Sequence, residues 1–428
     1  MLDIKLIREN PGLVKTGLTN KNDNHRIDEL LELDKKRREL ITLGDELKNQ
    51  KNKVSEEIPK LKKAGTDTQP LFEEMRQLGE KIKKNDDELR VIEEEFEKIL
   101  LFTPNLPHES VPVGKSAEDN LEVRRWIPEG LNIETKKEVL DHIQLGKNNK
   151  ILDFDRGTKI TGSGFPLYTG RGATLERALI SFMLDFHIRN HGYTEVMTPF
   201  IVNKDSMRGT GQLPKMADDM YFIERDGLYL IPTAEVPITN IYRNETLEEE
   251  TLPVKFVGYS PCFRREAGSY GRDSKGFLRV HQFNKVEMVK FVKPENSYDE
   301  LESLVANAEA ILKALNVPYR ILLLCTGDLS FSAAKCYDIE TWSPAEHKWL
   351  EASSCSNFES FQARRANIKY KAGGKKGEFV HTLNGSGLAT SRLMVSLLEN
   401  NQQPDGSIVI PEALRPYTGF DVIEPNRS

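Results

Sequence analysis

The segment at residues 262–288, CFRREAGSYGRDSKGFLRVHQFNKVEM, holds an unusual density of charged side chains beside Phe, Leu and Val. Its apolar ends predict two strands, at 256–263 and 277–289, joined by a glycine-rich loop. Arg264 and Arg279 would then lie on neighbouring strands. The planar guanidinium of arginine stays charged and binds phosphate through paired hydrogen bonds. The segment therefore predicts a hairpin that binds phosphate.

Other side chains add what a nucleoside triphosphate would need. Phe283 on the return strand offers a ring on which a nucleobase could stack. The downstream segment EASSCSN supplies Glu351 and Ser354, hard oxygen donors suited to Mg²⁺, and GLATSR brings Arg392. The chain has no GxxxxGK[ST] loop and no convincing strand–GxGxxG–helix unit, so ATP would be held by strands without a P-loop. A surface ion-pair lattice explains any one of these residues better than it explains the set.

A histidine pair raises the alternative of a metal site. His187 and His191 stand four apart in HIRNH, the spacing of two ligands on one helix face. The segment lacks the glutamate of a zincin motif and no third ligand is evident. Packing of the helix is therefore favoured over metal binding, and we expect no zinc.

The chain that holds these groups divides into two regions with different sequence patterns. From about residue 121, strands, helices and glycine turns alternate, with many strands and few intervening helices, which predicts an α+β domain on a mainly antiparallel sheet flanked by helices. TLERALISFMLDFHIRNHG, residues 174–192, predicts a helix with Gly192 as its C-cap. The strand that follows contains Pro199, which places it at an edge or an interface.

The first hundred residues instead show heptad spacing in two segments. Their apolar positions are Leu33, Leu40, Leu47, Val54 and Leu61, and then Leu71, Met75, Leu78, Ile82, Leu89, Ile92, Phe96 and Ile99. Asn85 interrupts the second series, and Pro59, Gly65 and Pro70 break the chain between the two. Two helices that bury their seams against each other form an antiparallel coiled-coil hairpin. Helices of roughly 30 residues make an arm of about 45 Å.

The charges of this arm leave two interpretations open. Basic residues gather toward the predicted tip and near the start of the first helix: Lys48, Lys51, Lys53, Lys60, Lys62 and Lys63, with KKRR at 35–38. The second helix is acidic around 93–97. Charged helix faces are usually only solvated, so the arm could be an oligomerisation coil or a spacer. A basic distal half would also suit the phosphate backbone of a nucleic acid.

Composition limits the remaining classes. The net charge of −6 is not that of a globally basic nucleic-acid binder, so such contacts need a local patch. The four cysteines include no CxxC pair, and the N-terminus shows no signal peptide. No apolar run approaches the ~20 residues that span a bilayer. We expect a cytoplasmic protein with reduced thiols and no membrane contact.

Taken together, these motifs resemble a known family. The helix and strand ending at Pro199, the FRRE hairpin and GSGLATSR are similar to motifs 1, 2 and 3 of class II aminoacyl-tRNA synthetases. TAEVP, TGDLSFSAAKCYDIE and SSCSNFESFQARR narrow the resemblance to the bacterial seryl-tRNA synthetase family, nearly end to end. Arg265 stands where the family often has a small residue, and Ser391 where it has glycine.

The resemblance implies a role for each matched residue. Arg264, Arg279 and Arg392 would be the catalytic residues. The ATP-binding residues would be Arg264, Arg265, Glu266, Arg279, Val280, Phe283, Glu351, Ala352, Ser353, Ser354 and Arg392, with Glu351 and Ser354 holding Mg²⁺. The serine-binding residues would be Thr233, Ala234, Glu235, Arg264, Glu287 and Ser386. Arg272 and Lys275, in the hairpin loop, would face the incoming tRNA end.

The resemblance also implies a function and partners. The chain would activate L-serine with ATP and load serine tRNA, and selenocysteine tRNA as well, as a homodimer whose arm grips the long variable arm of the tRNA. We expect a tRNA-binding domain at 1–103, a linker at 104–120 and a catalytic domain at 121–428. One alternative is a class II paralogue that loads an amino acid onto a carrier protein, although such proteins typically lack the arm. Another is a non-catalytic RNA-binding protein, which would have lost at least one key arginine or glutamate.

Overall fold

The structure is a computed structural model that describes residues 1–133, 139–267, 275–371, 373 and 377–426. The hairpin loop at 268–274, including Arg272, lies outside these residues. The chain forms two compact units, Met1–Thr19 with Asp23–Pro104, and Asn20–Asn22 with Asn105–Ser428. Each unit has its own apolar core.

The first unit is helical, as predicted. Its helices are α1 (Ile4–Glu9), α2 (Pro11–Asn20), α3 (Ile27–Lys63) and α4 (Gln69–Phe102). Leu47, Val54 and Leu78 are buried where α3 and α4 pack together. Pro59 was expected to break the chain, and this is wrong: α3 continues through Pro59 to Lys63. A proline this close to a helix end removes a single backbone hydrogen bond, and the helix stops instead before Gly65, whose φ is 75°.

The interruption at Asn85 is part of the seam. Asn85 is buried, and its Nδ2 donates a hydrogen bond to the carbonyl of Leu40 at 3.0 Å. Gly44 lies opposite, where an added Cβ would meet Asn85 Nδ2 at 2.9 Å. A buried polar residue in a heptad seam fixes how two helices align along their length. The glycine makes the space that this side chain needs.

The second unit is built on strands. They are β1 (Leu121–Trp126), β2 (Thr194–Glu195), β3 (Ile201–Asn203), β4 (Phe222–Ile223), β5 (Leu228–Leu230), β6 (Thr246–Glu248), β7 (Val254–Phe263), β8 (Gln282–Val292), β9 (Tyr319–Leu323), β10 (Lys335–Ser343), β11 (Lys348–Asn357), β12 (Lys369–Lys371), β13 (Glu378–Phe379), β14 (His381–Ala389), β15 (Ile408–Val409) and β16 (Val422–Ile423). The largest sheet among the described residues has the order β1-β9-β10-β11-β14-β8-β7-β2. Its neighbours pair antiparallel except β2 with β7, which confirms the mainly antiparallel α+β prediction.

Helices cover one face of this sheet. The helices of this unit are α5 (His142–Asn148), α6 (Phe154–Thr161), α7 (Gly170–His191), α8 (Lys204–Thr210), α9 (Glu235–Thr239), α10 (Ser297–Ala314), α11 (Phe361–Ala366), α12 (Thr390–Asn401) and α13 (Arg415–Thr418). Residues of α7, α10 and α12 pack against Val286 and Met288 of β8 in the main core. Because side chains alternate along a strand, the odd-numbered residues of β8 face the other way, where Phe283, Lys285 and Glu287 line a cavity and Val289 and Phe291 pack in a second apolar cluster.

Several element boundaries differ from the prediction. Helix α7 begins at Gly170 and ends as expected before Gly192, whose φ is 69°. The strand around Pro199 is divided into β2, at the edge of the sheet, and β3. Strand β8 begins at Gln282 rather than at 277, so Arg279 lies in the loop before the strand. A strand was expected there because Phe277, Leu278 and Val280 are apolar, but these side chains are buried from a turn.

The expected linker is packed on the second unit over much of its length. Asn105 Nδ2 donates hydrogen bonds of 2.9 Å to the carbonyls of both Ser332 and Phe358. Val111 is buried in a small apolar cluster with Leu322 and Leu324. Asn105 and Val111 therefore fix part of this segment to the rest of the second unit.

Candidate active site

One cavity of about 590 Å³ lies in the second unit, over the open face of the sheet. Fourteen of the sixteen predicted site residues line it: Thr233, Glu235, Arg264, Glu266, Arg279, Val280, Phe283, Glu287, Glu351, Ala352, Ser353, Ser354, Ser386 and Arg392. They come from β8, β11 and β14, from the start of α9 and α12, and from the loops between, with Arg264 directly after β7. The tertiary structure thus brings together side chains more than 150 residues apart in sequence.

The hairpin positions Arg264 at one end of this cavity. The Arg264 amide donates to the His281 carbonyl at 2.9 Å, which closes the hairpin after β7. The Arg264 guanidinium lies over the Phe283 ring, 5.2 Å from its centroid, and its Nε donates to the Pro232 carbonyl at 3.3 Å. A cation over the face of an aromatic ring is attracted by the electrons of that ring.

Two further arginines of the cavity are paired with carboxylates. Arg279 donates to Glu266 Oε2 at 2.7 Å, and Glu266 has a φ of 51°, a backbone conformation that non-glycine residues adopt rarely and often at functional sites. Arg392 Nη1 donates to Glu351 Oε2 at 3.1 Å and to the Glu351 carbonyl at 2.9 Å. Both guanidinium groups are therefore held by carboxylates at the wall of the cavity.

The expected metal ligands sit together on β11. The Glu351 side chain is about half exposed to the cavity, and Ser354 Oγ lies 3.0 Å from Cys336 Sγ. Asp338 faces Ser354 across the β10–β11 pairing; burial and the nearby Glu351 charge raise the pKa of Asp338 well above its ordinary value. A carboxylate and a hydroxyl are donors that Mg²⁺ accepts. The described residues contain no cluster of three His, Cys, Asp or Glu side chains arranged to hold a metal ion.

The other end of the cavity is lined by buried oxygen atoms. Thr233 Oγ1 donates to Glu287 Oε2 at 2.9 Å and accepts from the Glu235 amide at 3.1 Å. Gln362 Nε2 donates to Glu235 Oε1 at 2.6 Å. Burial raises the pKa of Glu235 to about 7, and the neighbouring Glu287 charge adds to the rise. The two acidic side chains at this end offer oxygen atoms to an occupant with a positive charge or a hydrogen-bond donor.

Three lining or supporting residues were missed from the sequence. Lys285 forms an ion pair with Glu287 inside the cavity. Gln362 orients Glu235, and its own Oε1 accepts from Thr382 Oγ1 at 2.8 Å; Asn384 also lines the cavity. The alternation in FNKVE contained a usable signal for Lys285, because Phe283, Lys285 and Glu287 must share one face of a strand.

Two predicted residues are not brought into the lining that the described residues form. The Arg265 amide donates to the Asp219 carbonyl at 2.9 Å, and its charge lowers the pKa of Tyr221 against the stronger raising effect of burial. Ala234 is buried in an apolar cluster behind α9. Lys275, predicted to face tRNA, lies 3.9 Å from Asp141.

The histidine pair packs inside the fold. His187 Nδ1 lies 2.9 Å from His191 Nδ1, and His187 Nε2 lies 3.1 Å from the Gly387 carbonyl. Burial lowers the pKa of His187 to about 4. A ring held between a helix and β14 in this way agrees with the interpretation that the pair serves helix packing.

A buried carboxyl group supports the site from behind the sheet. Glu176 Oε1 on α7 accepts hydrogen bonds from Thr390 Oγ1 at 2.6 Å and from Asn284 Nδ2 at 2.8 Å. Thr390 begins α12, two residues before Arg392, and Asn284 follows Phe283 on β8. Burial raises the pKa of Glu176 to about 7. One carboxyl group therefore ties α7 to the two elements that carry Phe283 and Arg392.

The fold and the cavity define a class. Residues 221–401 match the class II core domain of tRNA synthetases (G, H, P, S and T). The fold alone is also similar to that of a prolyl-tRNA synthetase from Giardia lamblia, with a TM-score of 0.55 and 16% identity over 64% of this chain and 54% of that one. The chain has the class II synthetase core.

Closer comparisons identify the family. Residues 1–107 match the seryl-tRNA synthetase N-terminal domain. The chain is 58% identical to the serine–tRNA ligase of Chlorobaculum parvum, over 99% of this chain and 100% of that protein. The seryl-tRNA synthetase of Pyrococcus horikoshii, solved in complex with ATP, superposes with a TM-score of 0.93 and 38% identity over 100% of both chains. This chain belongs to the seryl-tRNA synthetase family. Among its described helices, none has the length and apolar character needed to cross a membrane.

Proposed function

We propose that this chain activates L-serine with ATP and transfers it to the 3′ end of serine tRNA. The observation that carries the assignment is a single cavity lined at one end by Arg264, Arg279 and Arg392 and at the other by Thr233 and Glu287. One end suits a triphosphate and the other a small amino acid with a hydroxyl group. Adenylate formation requires both substrates in one space.

At the nucleotide end, each side chain has a distinct part. Adenine would stack on Phe283, where Arg264 now lies, and Glu266 with the Val280 backbone would read the edge of the base. Arg279 and Arg392 would hold the γ-phosphate, and Arg264 the α-phosphate. The carboxylate partners of Arg279 and Arg392 support this assignment, because a carboxylate holds an arginine at a position where a phosphate could replace it.

Glu351 and Ser354 would hold Mg²⁺ that arrives with ATP, with Ala352 and Ser353 shaping the same wall. Bound there, the ion would offset negative charge on the departing pyrophosphate. The half-exposed carboxylate of Glu351 is accessible from the cavity. It would have to leave Arg392, which is then free for the phosphates.

At the amino-acid end, the lining selects by polarity. Thr233, Glu235, Glu287 and Ser386 present oxygen atoms in a pocket shielded from water. Alanine, valine or cysteine would leave these groups without the partner that a serine hydroxyl supplies, and an unpaired buried group costs about 1–3 kcal/mol. Such a site rejects analogues that lack the hydroxyl. Threonine would be excluded by size.

The chemistry follows from placement of charge. One oxygen of the serine carboxylate attacks the α-phosphorus in line, and pyrophosphate leaves as the arginines stabilise the developing charge. The 3′-terminal ribose hydroxyl of tRNA then attacks the seryl carbonyl, and AMP leaves. None of the described side chains at the site stands out as a base for that proton, so we assign it to substrate and phosphate oxygens.

The proposal also covers the tRNA partner and the roles of the two parts of the chain. Residues 1–103 would bind the long variable arm of serine tRNA through the lysines of α3, residues 121–428 would catalyse, and 104–120 would connect them. We propose a homodimer in the cytoplasm and selenocysteine tRNA as a second substrate. The two helices of 37 and 34 residues argue against a carrier-protein ligase, which has no variable arm to grip.

The decisive experiment is ATP–pyrophosphate exchange with each of the twenty standard amino acids and Mg²⁺. We expect exchange with serine, and weak or no exchange with alanine, cysteine and threonine. Exchange with another amino acid but not with serine would remove the pocket assignment. Transfer of label to purified serine tRNA, compared with transfer to a carrier protein, then separates the two ligase classes.

A further inference from the structure

Lys285 is a buried cation of the cavity that the roles above leave without a task. Its Nζ forms an ion pair with Glu287 Oε2, and the two side chains are only 9% and 1% exposed. Thr233 Oγ1 donates to the same Glu287 oxygen. Ion pairs removed from water seldom add stability over apolar residues of similar size. This pair therefore calls for a functional explanation.

The position of Lys285 along β8 indicates what that function is. Phe283, Lys285 and Glu287 are successive residues on the cavity face of the strand, about 6.7 Å apart from one to the next. Phe283 lies at the nucleotide end beside Arg264, and Glu287 lies at the amino-acid end beside Thr233. Lys285 stands between them, at the level where a serine carboxylate would meet the α-phosphate of ATP.

The neighbouring strands leave this lysine room to turn. Ser260 of β7 pairs with Lys285 on one side, and Ala389 of β14 pairs with it on the other. Residues that pair across antiparallel strands point to the same face, so small side chains flank the lysine. Its four-carbon stem has freely rotating bonds. Nζ can thus exchange one anion for another without a change in the sheet.

We propose that Lys285 is a further catalytic residue of adenylate formation, released onto the reacting groups when serine binds. This rests on the proposed function, which places L-serine at the Glu287 end of the cavity, where Glu287 is the carboxylate that would bind the serine ammonium. Two cations then compete for one carboxylate. The substrate ammonium takes Glu287, and Lys285 turns toward the negative charge at the junction of carboxylate and α-phosphate.

The covalent step balances without a proton from Lys285. A serine carboxylate oxygen forms a bond to the α-phosphorus, and the bond from that phosphorus to the bridging oxygen of pyrophosphate breaks. The electron pair leaves with pyrophosphate. Lys285 keeps its protons and stabilises the negative charge on the α-phosphate oxygens, which is a role that a preorganised cation performs well in a water-poor cavity. Serine thus prepares the site for its own activation.

The test separates charge from positioning with three substitutions. Lys285→Met removes the cation, Lys285→Gln keeps a hydrogen-bond donor for Glu287 without the charge, and Lys285→Arg keeps the charge. Exchange kinetics give kcat and the KM for serine, and calorimetry gives serine binding without ATP. Lys293→Met is the matched control, since Lys293 lies on the same chain segment but pairs with Glu249 outside the cavity.

We expect Lys285→Met and Lys285→Gln to lower kcat by about 100-fold, the typical loss on removing one such group. Serine affinity should stay within about threefold or become tighter, because a competitor for Glu287 is gone. Lys285→Arg should recover kcat to within about tenfold of the wild type. The control Lys293→Met should have the kcat of the wild type.

Other results would contradict a catalytic role for Lys285. Wild-type kcat in Lys285→Gln, or equal losses in kcat and serine affinity, would show that Lys285 only positions Glu287. If Lys285→Met does not fold by circular dichroism, the Gln and Arg variants decide the question. Serine-independent exchange by the wild-type protein contradicts the proposed function instead, so the two failures are distinguishable.

Discussion

The two units of this chain use charged side chains in opposite ways. On the helical arm, apart from the pairs that buried Asp34 makes with Arg8 and Arg38, the ion pairs lie on the surface, as in Arg76 with Glu80, whose side chains are 61% and 65% exposed. In the cavity, Lys285 and Glu287 form a pair almost removed from water. Exposed pairs contribute about 0.2–1 kcal/mol each, whereas breaking a buried pair by removing one partner is strongly destabilising.

The difference in exposure indicates how each region would bind its ligand, tRNA on the arm and small substrates in the cavity. A surface with many solvated lysines acts through their sum, which suits a phosphate backbone recognised by shape. A cavity with one side chain for each task depends on each of them. Single substitutions should therefore have severe effects in the cavity and mild effects on the arm.

The largest loss is expected for Arg264→Ala. The substitution removes the guanidinium that lies over Phe283 and would hold the α-phosphate. Pyrophosphate exchange should fall by at least about 1000-fold, the upper range for one electrostatic group. Arg225→Ala, an exposed arginine of the same unit, is the control and should retain wild-type exchange. Near-normal activity of Arg264→Ala would remove this residue from the phosphate site.

A large loss of tRNA charging, with little loss of pyrophosphate exchange, is expected when residues 30–98 are replaced by a short glycine–serine linker. The cavity is lined entirely by residues 210–392, so exchange should stay within about twofold of the wild type. Charging of serine tRNA should fall by about 100-fold or more, because many phosphate contacts are lost together.

A charge-reversal variant tests the role of the arm without removing its helices. Replacing Lys48, Lys51 and Lys53 with glutamate keeps the helices but reverses the charge, and it should weaken charging in a salt-dependent manner. If both the deletion and the charge reversal charge tRNA normally, the arm is a spacer.

An intermediate effect on stability is expected for Glu176→Gln. Burial raises the pKa of Glu176 from 4.5 to about 7, so the folded wild type keeps a proton that the unfolded chain releases. This stabilising contribution is complete below about pH 4.5 and is lost as pH rises through about 7. Glutamine has no such titration but can still accept from Thr390 and Asn284.

The free energy of unfolding of Glu176→Gln should therefore rise relative to the wild type by up to about 3 kcal/mol between pH 5 and pH 8. Urea denaturation at both pH values measures it. Glu39→Gln, at an exposed position of α3, is the matched control on the arm and should change stability little. A difference that does not depend on pH would contradict the assigned proton.

The smallest effect is expected for Asn85→Ala in the seam of the arm. It removes the hydrogen bond to the Leu40 carbonyl and should destabilise the pairing of α3 and α4 by about 1 kcal/mol. Amide hydrogen exchange of the two helices reports this change, and pyrophosphate exchange should not respond. Asn52→Ala, on an exposed face of α3, is the control. A loss of activity on Asn85→Ala would show that the two units are coupled.

Local sequence patterns predicted many elements of this fold and many residues of the candidate site. Heptad spacing predicted α3 and α4 because a helix buries every third or fourth residue regardless of what surrounds it. Arginine, glutamate and serine in the hairpin and in β11 predicted phosphate and Mg²⁺ binding because these functional groups have few other uses in such density. Boundaries were predicted less well, since apolar residues such as Phe277 are buried as readily from a turn as from a strand.

The helical arm, the α+β class and the kinds of side chain at the site could be predicted from the sequence, because they depend on spacing within one element. The pairing of Lys285 with Glu287 and of Arg392 with Glu351 could not be predicted, and it became evident only in the folded chain. The same holds for Glu176, which loses its contact with water and so holds its proton near neutral pH. Such properties depend on distance and burial among residues from separate segments, and no local pattern records either.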